Sequence, residues 1–241
     1  MRSLIPVLLL VCPLLPGQIV LKIGPEPFTT PVEGTQVTFI GTGTVKLFTP
    51  PGQKKMEVEI DSQIDLSGLQ GAVPGIVQKK GNRNDDCGDI VRLHTVELRA
   101  SADVFVAAHY ERWSCAIGKN KIFEQNGDMM IGLALTVASA GRELAVNSTV
   151  KSFHADGVLG GLMQSSVVGP YLTDWLQAMI RDAVNPASLK ASFPAGLSQY
   201  NPVFRSARFV DLGSGKLGAA IAATFSLDQE QAQKLMGNLK H

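Results

Sequence analysis

The sequence predicts an exported α+β protein, with mostly antiparallel strands around one long amphipathic helix at about residues 165–185 and a short C-terminal helix. Three observations carry that expectation. Strand–turn–strand patterns recur at residues 90–116, 128–153 and 206–227. The long stretch with apolar residues at helical spacing lies between the second and third of them. The alternation of strand and helix that a parallel sheet requires is absent.

The N-terminus sets the compartment. Met1 and Arg2 give a short positive start, and residues 4–15 are apolar apart from Pro6, Pro13 and Cys12. That is the pattern of a secretory signal, too short for the ~20 residues that span a bilayer. We therefore expect residues 1–24 to be a signal peptide cut within 17–24. The single domain would be residues 25–241, without a transmembrane span, secreted or periplasmic. Lipid attachment at Cys12 is the weaker reading, because Leu9, Leu10 and Val11 depart from the small residues that such processing prefers.

After the signal, Pro25, Pro27 and Pro31 mark an extended lead-in, and residues 36–48 read as a strand whose Gly41 and Gly43 suggest a bulge or close approach. A Pro-Pro-Gly turn follows, and then Met56, Val58 and Ile60 alternate with Glu57, Glu59 and Asp61, as in a half-buried strand. Residues 66–80 contain Gly68, Gly71, Pro74 and Gly75 and read as a loop with room for one helical turn.

Residues 90–100 and 103–116 form a hairpin about Ser101. In an antiparallel pair the facing residue numbers have a constant sum, here 202, and Cys87 with Cys115 makes 202. The two sulfurs are expected across the ladder, as one disulfide of the kind found in exported chains. A second hairpin joins residues 128–138 and 142–153. The helix carries Val168, Tyr171, Leu172, Trp175, Leu176, Met179 and Ile180 on one side and stops at Pro186. A third hairpin turns at Gly213, Ser214 and Gly215, and residues 228–239 close the chain as a helix with Asp228 as its N-cap.

Catalytic patterns are missing, so the chain reads as a non-enzyme that needs no cofactor and no metal. It has no G-x-S-x-G elbow and, with the disulfide formed, no free Cys in the mature chain. Under the sum of 202, His94 faces Ala108 and His109 faces Leu93, which puts the two imidazoles on opposite faces and unable to share a metal. Residues 82–89 (NRNDDCGD) are dense in oxygen ligands but lack the EF-hand order. The net charge of +1 gives no concentrated basic surface for nucleic acid. The remaining feature is apolar excess on both faces of the Cys hairpin. Val91, Leu93, Phe105, Ala107 and Trp113 share one face, and Val96, Leu98, Val104, Val106 and Ala108 the other.

The C-terminal third adds a resemblance. The helix at residues 168–184, the strand Pro202-Val203-Phe204-Arg205-Ser206-Ala207-Arg208-Phe209-Val210-Asp211, the Gly turn and residues 217–225 resemble the closing unit of the tubular lipid-binding (TULIP-like) superfamily. That resemblance implies a strongly curled sheet around the helix, with a lipid or other apolar ligand held between them. The expected lining is Val104, Val106, Leu133 and Leu135 from strands and Trp175, Leu176, Met179 and Ile180 from the helix. Core packing competes for every one of these. The alternative function is a structural or adhesive envelope protein that docks a protein partner through an apolar strand face.

Overall fold

A computed structural model of the chain describes residues 18–85, 87–156 and 200–238. Within them ten strands form two five-stranded sheets in place of one curled sheet. The first has the order β1 (Ile19–Val32), β2 (Thr35–Phe48), β3 (Met56–Asp65), β10 (Leu217–Leu227) and β9 (Val203–Asp211). The second runs β4 (Arg83–Asn84), β5 (Asp89–Leu98), β6 (Asp103–Ser114), β7 (Asn120–Ala138) and β8 (Glu143–Ala155). Every neighbouring pair is antiparallel. The long helix expected at about 165–185 lies outside the described residues, and among the described residues no helix is long and apolar enough to cross a membrane.

The Pro-bearing lead-in is itself a strand. Ile19 to Ile23 pair with Leu47 to Gly43, and Glu26 to Val32 pair with Gly41 to Thr35, with a bulge between. β1 is the edge of its sheet, the place where missing proline N–H groups break no ladder.

The segment expected to be a loop is helix α1 (Ser67–Gly81), with Pro74 inside it. Gly costs ~1 kcal/mol and Pro ~3 kcal/mol in a helix interior. Against that, Leu69, Val73, Ile76 and Val77 are all buried, and each contributes ~1.5–3 kcal/mol. Burial wins, because the four fall on one stripe between the sheets, against β2 and β5. Gly68 is required there: a Cβ would lie 2.2 Å from the Thr38 carbonyl oxygen. Asp65 Oδ1 accepts from the Ser67 N–H (2.8 Å) at the helix start. Gln70 joins α1 to the β9–β10 turn, donating to the Gly215 carbonyl (2.9 Å) and accepting from the Leu217 N–H (3.0 Å).

The core is continuous across both sheets. Val37, Phe39, Ile64, Leu217 and Ile221 of the first sheet meet α1 and Val91, Val96, Val104, Ile131 and Leu135 of the second in one buried cluster. At the opposite side β9 packs on β7. Gly141, at φ +87°, closes the β7–β8 turn against it; a Cβ there would meet Val203 Cγ1 at 2.4 Å. A second cluster, Leu47, Val58, Ile60, Phe225 and Leu227, extends the first sheet's inner face toward Ala232. Ala232 belongs to α2 (Gln229–Asn238). Asp228 caps this helix as expected: its Oδ1 accepts from the Gln231 N–H (2.8 Å), and Gln231 Oε1 accepts from the Asp228 N–H (3.0 Å). This reciprocal pair is a capping box.

The Cys hairpin corrects the expected register. The sum of 202 holds from Leu98↔Val104 down to Thr95↔Ala107 and becomes 201 from Leu93↔Ala108 to Asp89↔Arg112. His94 is the extra residue, a β-bulge that shifts the side-chain alternation by one. Val91, Leu93, Val96 and Leu98 are consequently all buried in the same cluster. The bulge moves Val91 and Leu93 to the core face, while Phe105, Ala107 and Trp113 stay half-buried on the other. Cys87 and Cys115 still join, at a Cα–Cα distance of 5.7 Å, because both lie just beyond the last ladder pair. There the Trp113 N–H still donates to the Gly88 carbonyl (2.8 Å).

Candidate functional site

Two places hold the residues of interest: the interior between the sheets and the outer face of the second sheet. The four strand residues expected to line a ligand sit together in the first. Val104 and Val106 on β6 and Leu133 and Leu135 on β7 are buried side chains of the main cluster. Trp175, Leu176, Met179 and Ile180, the expected helix contribution, lie outside the described residues.

The outer face carries a polar cluster instead. Alternation along β6 places His109, Glu111 and Trp113 on the side opposite Tyr110 and Ala108, which pack against the core. Across the β6–β7 ladder, His109 faces Asn126 and Glu111 faces Glu124. A second bulge, at Ile122, lets Lys121 face Trp113. His109 Nε2 lies 3.1 Å from Glu111 Oε1 and 3.3 Å from Glu124 Oε1. Its Nδ1 lies 2.9 Å from Asn126 Oδ1. The Trp113 indole N–H donates to Glu111 Oε2 (2.8 Å), and Lys121 Nζ donates to Glu124 Oε2 (2.5 Å). The Lys121 ammonium also stands 5.6 Å from the Trp113 ring centroid.

The His94 bulge has a second effect here. The rings of His94 and His109, expected on opposite faces, have centroids 6.1 Å apart. The straight register separated them, and the extra residue brings them together.

The electrostatics follow from these contacts. The Trp113 indole and then the His109 ring hold the Glu111 carboxyl down, to about 2, with help from the Lys121 and Arg92 charges. Hydrogen bonds to Asn126 and Glu111 push the His109 imidazole up from its ordinary value, against the opposing effect of burial. His109, Glu111 and Glu124 are the set among the described residues whose donor atoms converge within 4.8 Å.

No protein-family model, curated protein or solved structure matches this chain.

The oxygen-rich segment at residues 82–89 forms no such set among its described residues. Asn82 Oδ1 accepts from the Leu93 N–H (2.7 Å), and Asp89 Oδ1 accepts from the Tyr110 hydroxyl (2.6 Å) and from Arg112 (3.2 Å). These groups hold the hairpin in place. The outer-face cluster was missed because its partner strand was expected to begin at residue 128, whereas β7 begins at Asn120. The signal was present as His109, Glu111 and Trp113 at alternate positions, with Lys121, Glu124 and Asn126 following the turn.

Proposed function

We propose that this chain is an exported, non-catalytic carrier of a lipid or other apolar ligand, of the tubular lipid-binding kind. The observation that supports it best is the uninterrupted apolar interior. One buried cluster runs from Val37 and Phe39 through α1 to Val104, Ile131 and Val146, and a second continues along the inner face of the first sheet. An acyl chain entering between such faces is favoured by ~25 cal/mol per Å² of apolar surface withdrawn from water. The Cys87–Cys115 disulfide fits an oxidising compartment. The polar cluster lies on the outside of the second sheet, away from that interior.

The test is transfer of a fluorescent long-chain phospholipid from vesicles to the oxidised protein. Saturable uptake that Val106→Trp abolishes, in a variant that still folds, supports the carrier reading. Failure of the wild type to take up lipid sinks it.

A second reading is favoured by one observation. Ile19 and Ile23 are 36% and 41% exposed on the edge strand β1, where a protein partner could add a strand. Formation of a stable lipid-free complex that Ile23→Lys disrupts would favour it.

A further inference from the structure

We infer that His109, Glu111 and Glu124 form a binding site for a divalent transition-metal ion, with zinc as the fitting probe. Each of the three groups turns one donor atom inward and has its other polar atom tied to a different partner. His109 presents Nε2 while Nδ1 is placed by Asn126. Glu111 presents Oε1 while Oε2 accepts from Trp113. Glu124 presents Oε1 while Oε2 accepts from Lys121. Asn126 and Trp113 hold His109 and Glu111 in the orientation and tautomer that metal ligands need, whereas Lys121 holds Glu124 only until an ion takes its place.

The two spacings to Nε2 fit as well, and the two inward oxygens lie within 4.8 Å of each other. Nε2 lies 3.1 Å and 3.3 Å from the two inward oxygens, against the roughly 3.3 Å edge of a tetrahedron with metal–ligand bonds near 2.0–2.1 Å. Three acceptors surround the His109 ring, namely Asn126 Oδ1, Glu111 Oε1 and Glu124 Oε1. A single Nε2 proton can point at only one of the two carboxylates, whereas a cation at the centre serves both. An imidazole nitrogen with two carboxylates is a donor set that suits zinc, and the fourth position remains for water.

Lys121 is the competitor. Its ammonium stands 3.7 Å from Glu111 Oε1, close enough to repel an incoming ion. It is partly exposed and already near the Trp113 face, so it can move outward along that ring while the ion enters. The same charge lowers the site's affinity. Its removal therefore strengthens metal binding, the opposite of what a purely ion-paired network predicts.

The experiment is isothermal titration of zinc chloride into the chelator-treated, oxidised full chain at neutral pH, with cobalt(II) absorption as a second readout. The expected result is one ion per chain, weakened about tenfold or more by His109→Gln and by Glu124→Gln, tightened several-fold by Lys121→Ala, and unaffected by His154→Gln. Cobalt should give the visible bands of a four-coordinate ion, lost in the same two variants. Chemical denaturation without metal shows that each variant is folded; having two ligand variants guards against one failing to fold. Absence of uptake by the wild type overturns the proposal, as does uptake that neither ligand substitution changes. Either result leaves an ion-pair network only.

Discussion

Removing the Cys87–Cys115 disulfide with a double Ser substitution should destabilise the protein by about 3.6 kcal/mol. The two cysteines are 28 residues apart, and in the chain-entropy account the unfolded-state freedom regained scales with the logarithm of that loop. The native side adds little to the cost. Both cysteines sit beyond the last β5–β6 pair, Asp89↔Arg112, so the substitution falls at the hairpin's open end, beside the Gly88–Trp113 contact. For a domain of this size ~1 kcal/mol moves the melting temperature by ~2–4 °C, so the midpoint should fall by roughly 7–14 °C. The assay is guanidinium denaturation of the oxidised wild type and the double variant, compared through midpoint and slope. A loss below about 1 kcal/mol at unchanged slope would contradict the loop-entropy origin of the stabilisation. It would mean that the unfolded chain already holds the β5–β6 hairpin closed.

Three further outcomes follow from the same structure. Deleting His94 removes the bulge and leaves Val91, Leu93, Val96 and Leu98 on one face, so the variant should fold with its disulfide intact and a melting point within a few degrees of wild type; loss of folding would contradict the observed register. The Glu111 carboxyl is held down to about 2, so its stabilisation is complete above its unfolded value and drains away as pH falls through about 2. Glu111→Gln should flatten the fall of the denaturation midpoint between about pH 5 and pH 2, and an unchanged slope would count against the Trp113 and His109 contacts. Leu135→Ala removes a side chain 3% exposed at the centre of the core and should cost ~2–5 kcal/mol by denaturant melt of the ligand-free protein; a cost under about 1 kcal/mol would contradict its packing in the main cluster.

The hairpins were legible in the sequence because their turns are local. Gly213, Ser214 and Gly215 carry positive φ, and small residues mark the other two turns. The disulfide was legible in spite of the bulge, because both cysteines lie beyond the last ladder pair, where a shift of one residue still leaves them within reach. The bulges at His94 and Ile122 were not: one inserted residue leaves no compositional trace and shows only when two strands are paired along their whole length. The polar cluster stayed hidden for a separate reason: β7 begins at Asn120, eight residues before the strand expected from residue 128, and so carries Lys121, Glu124 and Asn126. α1 was concealed by its own punctuation. Gly68 and Pro74 resemble loop residues, yet Gly68 serves close approach to Thr38, and the buried stripe of Leu69, Val73, Ile76 and Val77 outweighs the propensity cost.

Native mass spectrometry of the oxidised protein, followed by organic extraction of whatever remains bound, decides whether the apolar interior receives a ligand. A lipid should co-purify at defined stoichiometry and be displaced in Val106→Trp. A bare polypeptide mass that persists after incubation with phospholipid vesicles would contradict it.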